Sequence, residues 1–100
     1  PNSDPSWFGF PITLRDEAQV SRVDLLKYLD QFKIGTRLLF CGNVTRQPYF
    51  KARDYRVVGQ LKNTDIIMNN TLHLGVYPGL DNTMLDYVAD RIETFFGVNF

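Results

Sequence analysis

The sequence predicts an α+β fold, a small antiparallel or mixed sheet of about three strands with helices on one face. Three observations predict it. Three short segments read as strands, two longer ones carry apolar residues at three- and four-residue spacing, and the two kinds interleave along the chain.

The first strand is predicted over residues 7–14, where Phe8, Phe10, Ile12 and Leu14 fall at period two and place four apolar side chains on one face. Pro11 removes a backbone donor from that run, so the strand belongs at a sheet edge. Ser21-Arg22-Val23-Asp24 has the form of a helix N-terminus, with a hydroxyl to cap free amides and an acid at the positive end of the dipole. Leu25, Leu26, Leu29 and Phe32 then form an apolar stripe, and Gly35 offers a left-handed stop. Residues 36–40 are a short apolar run with one charge, Arg37, and read as the second strand.

Periodicity fails over residues 41–60, and the aromatic residues Tyr49, Phe50 and Tyr55 in that stretch predict an ordered loop. Thr64 and Asp65 are placed to start a short helix through Ile66, Ile67 and Met68, and residues 71–76 read as a third strand ending at the Tyr77-Pro78-Gly79 turn. Asp81 is positioned to cap the last helix, in which Leu85, Val88, Ala89, Ile92, Phe95 and Phe96 follow the helical period. With the helices on one side, a second apolar sheet face is expected to remain for another surface.

A length of 100 residues with 44% hydrophobic side chains suits one domain with a single core. Eleven basic and eleven acidic residues cancel, so no net field steers the chain toward nucleic acid or an anionic membrane. One cysteine, Cys41, excludes an internal disulfide, and with one histidine, His73, the chain has no Cys/His zinc set. No run approaches the roughly 18 apolar residues of a membrane span, and the cytoplasm is the default location. The polar, proline-containing opening without an initiator methionine is read as a linker remnant over residues 1–5, followed by one domain over 6–100 taken from a longer chain.

Groups for independent catalysis are not expected. The bland reading of Cys41 is a half-buried small residue at a strand end, and of His73 a strand residue touching a helix or an interface. Gly42, Gly59, Gly75 and Gly79 lack the spacing of a phosphate loop, and Lys27, Lys33, Lys51 and Lys62 lack the apolar setting of a Schiff-base lysine. Arg37, Asn43, Arg46, Gln47 and Arg53, interleaved with Phe40, Tyr49, Phe50 and Tyr55, do stand out. Guanidinium groups grip phosphate bidentately and amides read hydroxyls, so the mixture suits a phosphorylated, hydroxyl-rich ligand. A solvated loop with ordinary surface arginines explains the same residues equally well.

Residues 33–49, KIGTRLLFCGNVTRQPY, together with Asn63-Thr64-Asp65, Met68-Asn69-Asn70-Thr71 and Gly75-Val76-Tyr77-Pro78-Gly79-Leu80, carry a family resemblance. The chain resembles the C-terminal small domain of the CDP-4-keto-6-deoxyglucose 3-dehydrases, within the DegT/DnrJ/EryC1/StrS group of fold-type I pyridoxal-phosphate enzymes. The Phe40-Cys41-Gly42-Asn43-Val44 segment favours that branch over the sugar aminotransferases, while Cys41 stands where Ala or Gly is usual and His73 where an aromatic is usual. The resemblance implies a parent enzyme that uses pyridoxamine phosphate, a catalytic histidine and a [2Fe-2S] cluster outside this chain to make 3,6-dideoxyhexoses of lipopolysaccharide O-antigens. It implies as partners the large domain of the same polypeptide, a second subunit of a homodimer, an NADH-dependent iron-sulfur flavoprotein reductase and the nucleotide-sugar substrate. It makes Arg37, Asn43, Arg46, Gln47 and Tyr49 substrate-binding, with no catalytic, cofactor-binding or metal-binding residue here. The rival readings are the small domain of a nucleotide-sugar aminotransferase and a free-standing protein-interaction module.

Overall fold

The structure, a computed structural model, describes residues 2–97; Pro1 of the 1–5 linker and the last three residues of the 6–100 domain lie outside the described residues. Strand β1 (Gly9–Thr13) leads through a 3₁₀ turn to helix α1 (Arg22–Gln31), which carries the chain to β2 (Thr36–Leu38). After the long loop, α2 (Lys62–Asn70) runs directly into β3 (Thr71–Gly75), and α3 (Asn82–Phe96) completes the described chain. The sheet order is β1–β3–β2, with both pairings antiparallel. The outer strands are thus parallel to one another, α1 is their crossover, and β3 enters the slot they leave, a split β-α-β arrangement.

As Pro11 requires, β1 lies at an edge, opposite His73 of β3. The register places Phe10, Ile12, Leu72, Leu74, Thr36 and Leu38 on one face, and Pro11, Thr13, Thr71, His73 and Arg37 on the other. Helices α1 and α3 lie on the first face. Leu25 and Leu29 of α1 are fully buried with Leu72 and Leu14, and Ile12, Leu74, Ile34, Ile92, Phe95 and Phe96 pack around them. Each such buried side chain contributes roughly 1.5–3 kcal/mol. Tyr28 meets Phe95 at 5.1 Å between ring centroids, and the Tyr87 hydroxyl donates to the Phe32 carbonyl at 3.1 Å, which joins α3 to α1.

Both predicted caps form. The Asp24 amide donates to Ser21 Oγ at 3.1 Å and the Met84 amide to Asp81 Oδ1 at 2.8 Å. Gly35 is not the stop of α1. Lys33 takes the left-handed conformation at φ 62°, its amide donates to the Asp30 carbonyl, and the Ile34 amide reaches back to the Leu29 carbonyl at 3.0 Å. This is a Schellman closure whose apolar pair, Ile34 and Leu29, belongs to the core, so burial of Ile34 fixes the stop two residues before the glycine. Helix α2 also starts before Thr64, from a left-handed Leu61, and Asp65 is employed elsewhere.

Apolar surface is left uncovered on both sides of the sheet: beside α3 on the helix side, and on the opposite, mixed face at Phe8 and Phe40. Phe8 does not share the face of Phe10 and Ile12 as its period predicts, because the strand begins only at Gly9 and Phe8 packs beside His73. Only the C-terminal half of the α3 stripe reaches the core; Leu85 is half exposed. Its N-terminal half, with Phe10, Ile12, Leu74, Val76, Tyr77 and Leu80, borders an apolar groove of about 670 Å³.

Candidate functional site

On the sheet face away from α1 and α3, Arg37 stands opposite His73 in the β2–β3 register. A recess of about 330 Å³ there is lined by Phe8, Thr36, Arg37 and His73 with backbone of Gly35 and Gly75. The His73 ring lies 5.8 Å from that of Phe8 and 6.4 Å from that of Phe40, and it leans over Gly9, where a Cβ would come within 2.6 Å of Nδ1. Phe8 and Phe40 are about three-quarters exposed, and Phe40 adopts a left-handed φ of 45°. Such a conformation is uncommon for a bulky residue and costs of order 1–3 kcal/mol, and strain of this kind concentrates at functional sites. Among the described residues the Arg37 side chain has no hydrogen-bond or ion-pair partner, and Arg37 lines the recess. His73 is a strand residue, as expected, and its ring lies beside those of Phe8 and Phe40. Cys41, expected to be half-buried, is exposed, with no hydrogen bond to His73.

The loop that follows Phe40 is ordered, as its aromatics predict: the Phe50 and Tyr55 rings meet in a tilted arrangement, 5.0 Å between centroids. Its attachment is to α2. Gly42, at φ 62°, lies so close to the helix that a Cβ would meet Met68 Cγ at 2.3 Å and Cα at 3.1 Å. Beside it Asn43 is 2% exposed and bonded at both polar atoms: Oδ1 accepts from the Thr45 amide at 3.1 Å and hydroxyl at 2.7 Å, and Nδ2 donates to Asp65 Oδ1 at 2.8 Å. Arg46 meets the same carboxylate with two bonds, Nε to Oδ1 at 3.1 Å and Nη2 to Oδ2 at 2.8 Å. These bonds from Arg46, and then the Asn43 amide, hold the Asp65 carboxyl below the usual carboxylate range; the same contact raises Arg46.

The five sequence-predicted donors thus separate by role. Asn43 faces inward, its amide being consumed by the fold because the buried group must be satisfied. Arg46 is joined to Asn43 through Asp65 and keeps a largely exposed side chain. Gln47 Nε2 donates to the Cys41 carbonyl at 2.7 Å, and Tyr49 is paired with Arg53, whose Nη2 donates to the hydroxyl at 2.6 Å. Arg37 stands apart on β2. Asp65, Phe8 and His73 are the functional candidates that the donor pattern missed. A signal for Asp65 existed in its isolation: residues 31–53 hold five basic side chains and no acid, and Asp65 is the sole acid of residues 55–80.

A model of the DegT/DnrJ/EryC1/StrS aminotransferase family matches residues 1–93. The chain belongs to this family. Among its relatives, lipopolysaccharide biosynthesis protein RfbH of Salmonella typhimurium is 63% identical over 98 residues, which cover 98% of this chain and 22% of that protein. A dTDP-4-dehydro-2,6-dideoxy-D-glucose 3-dehydratase of Saccharopolyspora spinosa is 48% identical over 95% of this chain and 21% of its own length. A GDP-4-keto-6-deoxy-D-mannose 3-dehydratase of Yersinia pseudotuberculosis is 26% identical over 95% of the chain and 23% of its own. The chain thus spans about a fifth of the length of these family members.

The residues described do not fit the cofactor that a family of aminotransferases implies. All four lysines are exposed and none lines the recess, no glycine-rich turn gathers amides for a phosphate, and no group of three metal-ligating side chains occurs among the described residues. No helix of the described residues is long and apolar enough to cross a membrane.

Proposed function

We propose that this chain is the small domain, C-terminal in its polypeptide, of a nucleotide-sugar 3-dehydrase that makes 3,6-dideoxyhexoses for lipopolysaccharide O-antigen in the cytoplasm. The reading assigns pyridoxamine phosphate, the catalytic histidine and a [2Fe-2S] centre to sequence outside this chain. In a homodimer supplied with electrons by a separate iron-sulfur flavoprotein reductase, this domain is a wall of the substrate cavity. The names of the relatives support dehydration over transamination, since two are 3-dehydratases of nucleotide-linked 4-keto sugars. The large domain is the surface that covers the apolar groove beside α3.

Arg37, unpaired at a recess rimmed by Phe8 and His73, is the observation that carries the reading. A guanidinium held on a strand, with all five donors available, suits a diphosphate or a sugar hydroxyl. In the full-length enzyme, Arg37→Ala is expected to raise KM for CDP-4-keto-6-deoxyglucose by about tenfold or more, the scale of one lost charge-assisted hydrogen bond. Thermal melting should stay within about 2 °C of wild type, because no intramolecular partner is lost. Equal turnover and KM in the variant, or a KM change matched by a large fall in Tm, would overturn the substrate role.

A further inference from the structure

We infer that Asp65 is a positioning residue that aims the outer edge of the Arg46 guanidinium at the phosphates of the nucleotide sugar. This inference rests on the proposed reading of the loop as substrate-facing. The geometry that carries it is a shared carboxylate. Asp65 projects from the first turn of α2, and both of its oxygens are taken by the Nε/Nη2 side of Arg46, while Oδ1 also receives the buried Asn43 amide. A bidentate fork fixes the plane of a guanidinium, which an ion pair through a single nitrogen does not.

Two of the five N–H groups of Arg46 are used in this way, which leaves three, both on Nη1 and one on Nη2, directed away from the carboxylate. The Arg46 side chain is 60% exposed, whereas that of Asp65 is 25% exposed, so the acid lies beneath and the free edge of the base faces outward. Asn43 holds Asp65 from the other side, and its own Oδ1 caps the turn that carries Arg46. The turn and the guanidinium are therefore set by one carboxylate. A surface ion pair serving stability alone needs neither the fork nor the buried third partner. The surrounding segment 31–53, with five bases and no acid, adds a local positive field that favours an anion at that edge.

The test uses the full-length enzyme, CDP-4-keto-6-deoxyglucose as substrate and inorganic pyrophosphate as a competitive inhibitor. Arg46→Ala and Asp65→Asn are each expected to raise KM and the pyrophosphate Ki about tenfold with kcat unchanged. In the double variant Ki should equal that of Arg46→Ala alone, since Asp65 acts only through Arg46. Additive effects on Ki would assign Asp65 a merely structural role and overturn the inference. An unchanged Ki in Asp65→Asn beside a raised Ki in Arg46→Ala would also overturn it, yet leave the substrate-facing loop standing. An unchanged Ki in Arg46→Ala removes the loop's phosphate contact and the inference with it. If Asp65→Asn does not fold, Asp65→Glu is read in the same cycle: the carboxylate moved by one methylene should raise Ki about threefold, and a rise that persists in the Arg46→Ala background overturns positioning.

Discussion

Asn43 and Asp65 show how a side chain's partners decide its role. An amide among arginines reads from composition as a ligand donor, but Asn43 is buried and caps the turn that follows it. Asp65 is the complement: its position marks it as a starter of the short helix, yet its carboxylate crosses to the loop. Its depressed pKa fixes the sign of a pH effect. A carboxyl with a folded value below its unfolded value, about 3.9, contributes stability that is complete above the unfolded value and is lost as pH falls through the folded one. The stability difference between wild type and Asp65→Asn should thus be constant from about pH 7 to pH 5 and shrink below about pH 4, as urea titrations at each pH would record. A difference that shrinks between pH 7 and 5 would place the titration on another group.

At the scale of elements, the ends of helices are governed by contacts on both sides of the cap. Ser21 and Asp81 cap α1 and α3 as their positions indicate, because an N-cap needs only a short-range hydrogen bond. The stop of α1 is different: Lys33 occupies the left-handed position because Ile34 must reach the core beside Leu29. A left-handed conformation costs an L-residue roughly 1–2 kcal/mol, whereas glycine adopts it without that penalty but has more chain entropy to lose. Lys33→Gly is accordingly expected to stabilise the protein by about 0.5–1 kcal/mol, read as a rise in denaturation midpoint at unchanged m-value. A destabilised variant would show that the lysine's own packing outweighs the backbone term. The loop over residues 41–60 obeys the same logic, since its course follows from the close approach of Gly42 to Met68 and from the Asn43–Asp65–Arg46 cluster.

For the molecule as a whole, the balance between covered and uncovered surface is the governing fact. The radius of gyration is 16.4 Å, against about 13 Å for a compact domain of 100 residues. Four apolar side chains, Leu14, Leu25, Leu29 and Leu72, are buried in the described core, while Trp7, Phe8, Phe10 and Phe40 are well exposed. A groove and an aromatic face of this kind suit a domain completed by further chain, in keeping with relatives about five times as long. The 100-residue polypeptide alone, mixed with pyridoxamine phosphate, is expected to leave the cofactor's absorbance band unshifted and to show no turnover. A shifted band would relocate the cofactor site into this chain.

The sequence by itself determined the order and kind of elements, the edge position of β1 and both N-caps, along with the family, because apolar period, proline chemistry and capping act within a few residues. It also marked Arg37 and Arg46 as donors, but not what each donor meets. The tertiary structure alone decided that Asn43 turns inward, that Asp65 joins residues 22 and 19 positions away, and that Phe8, Phe40 and His73 gather on one face. Those outcomes depend on pairings between distant segments, and pairing is a property of the folded chain rather than of any local run.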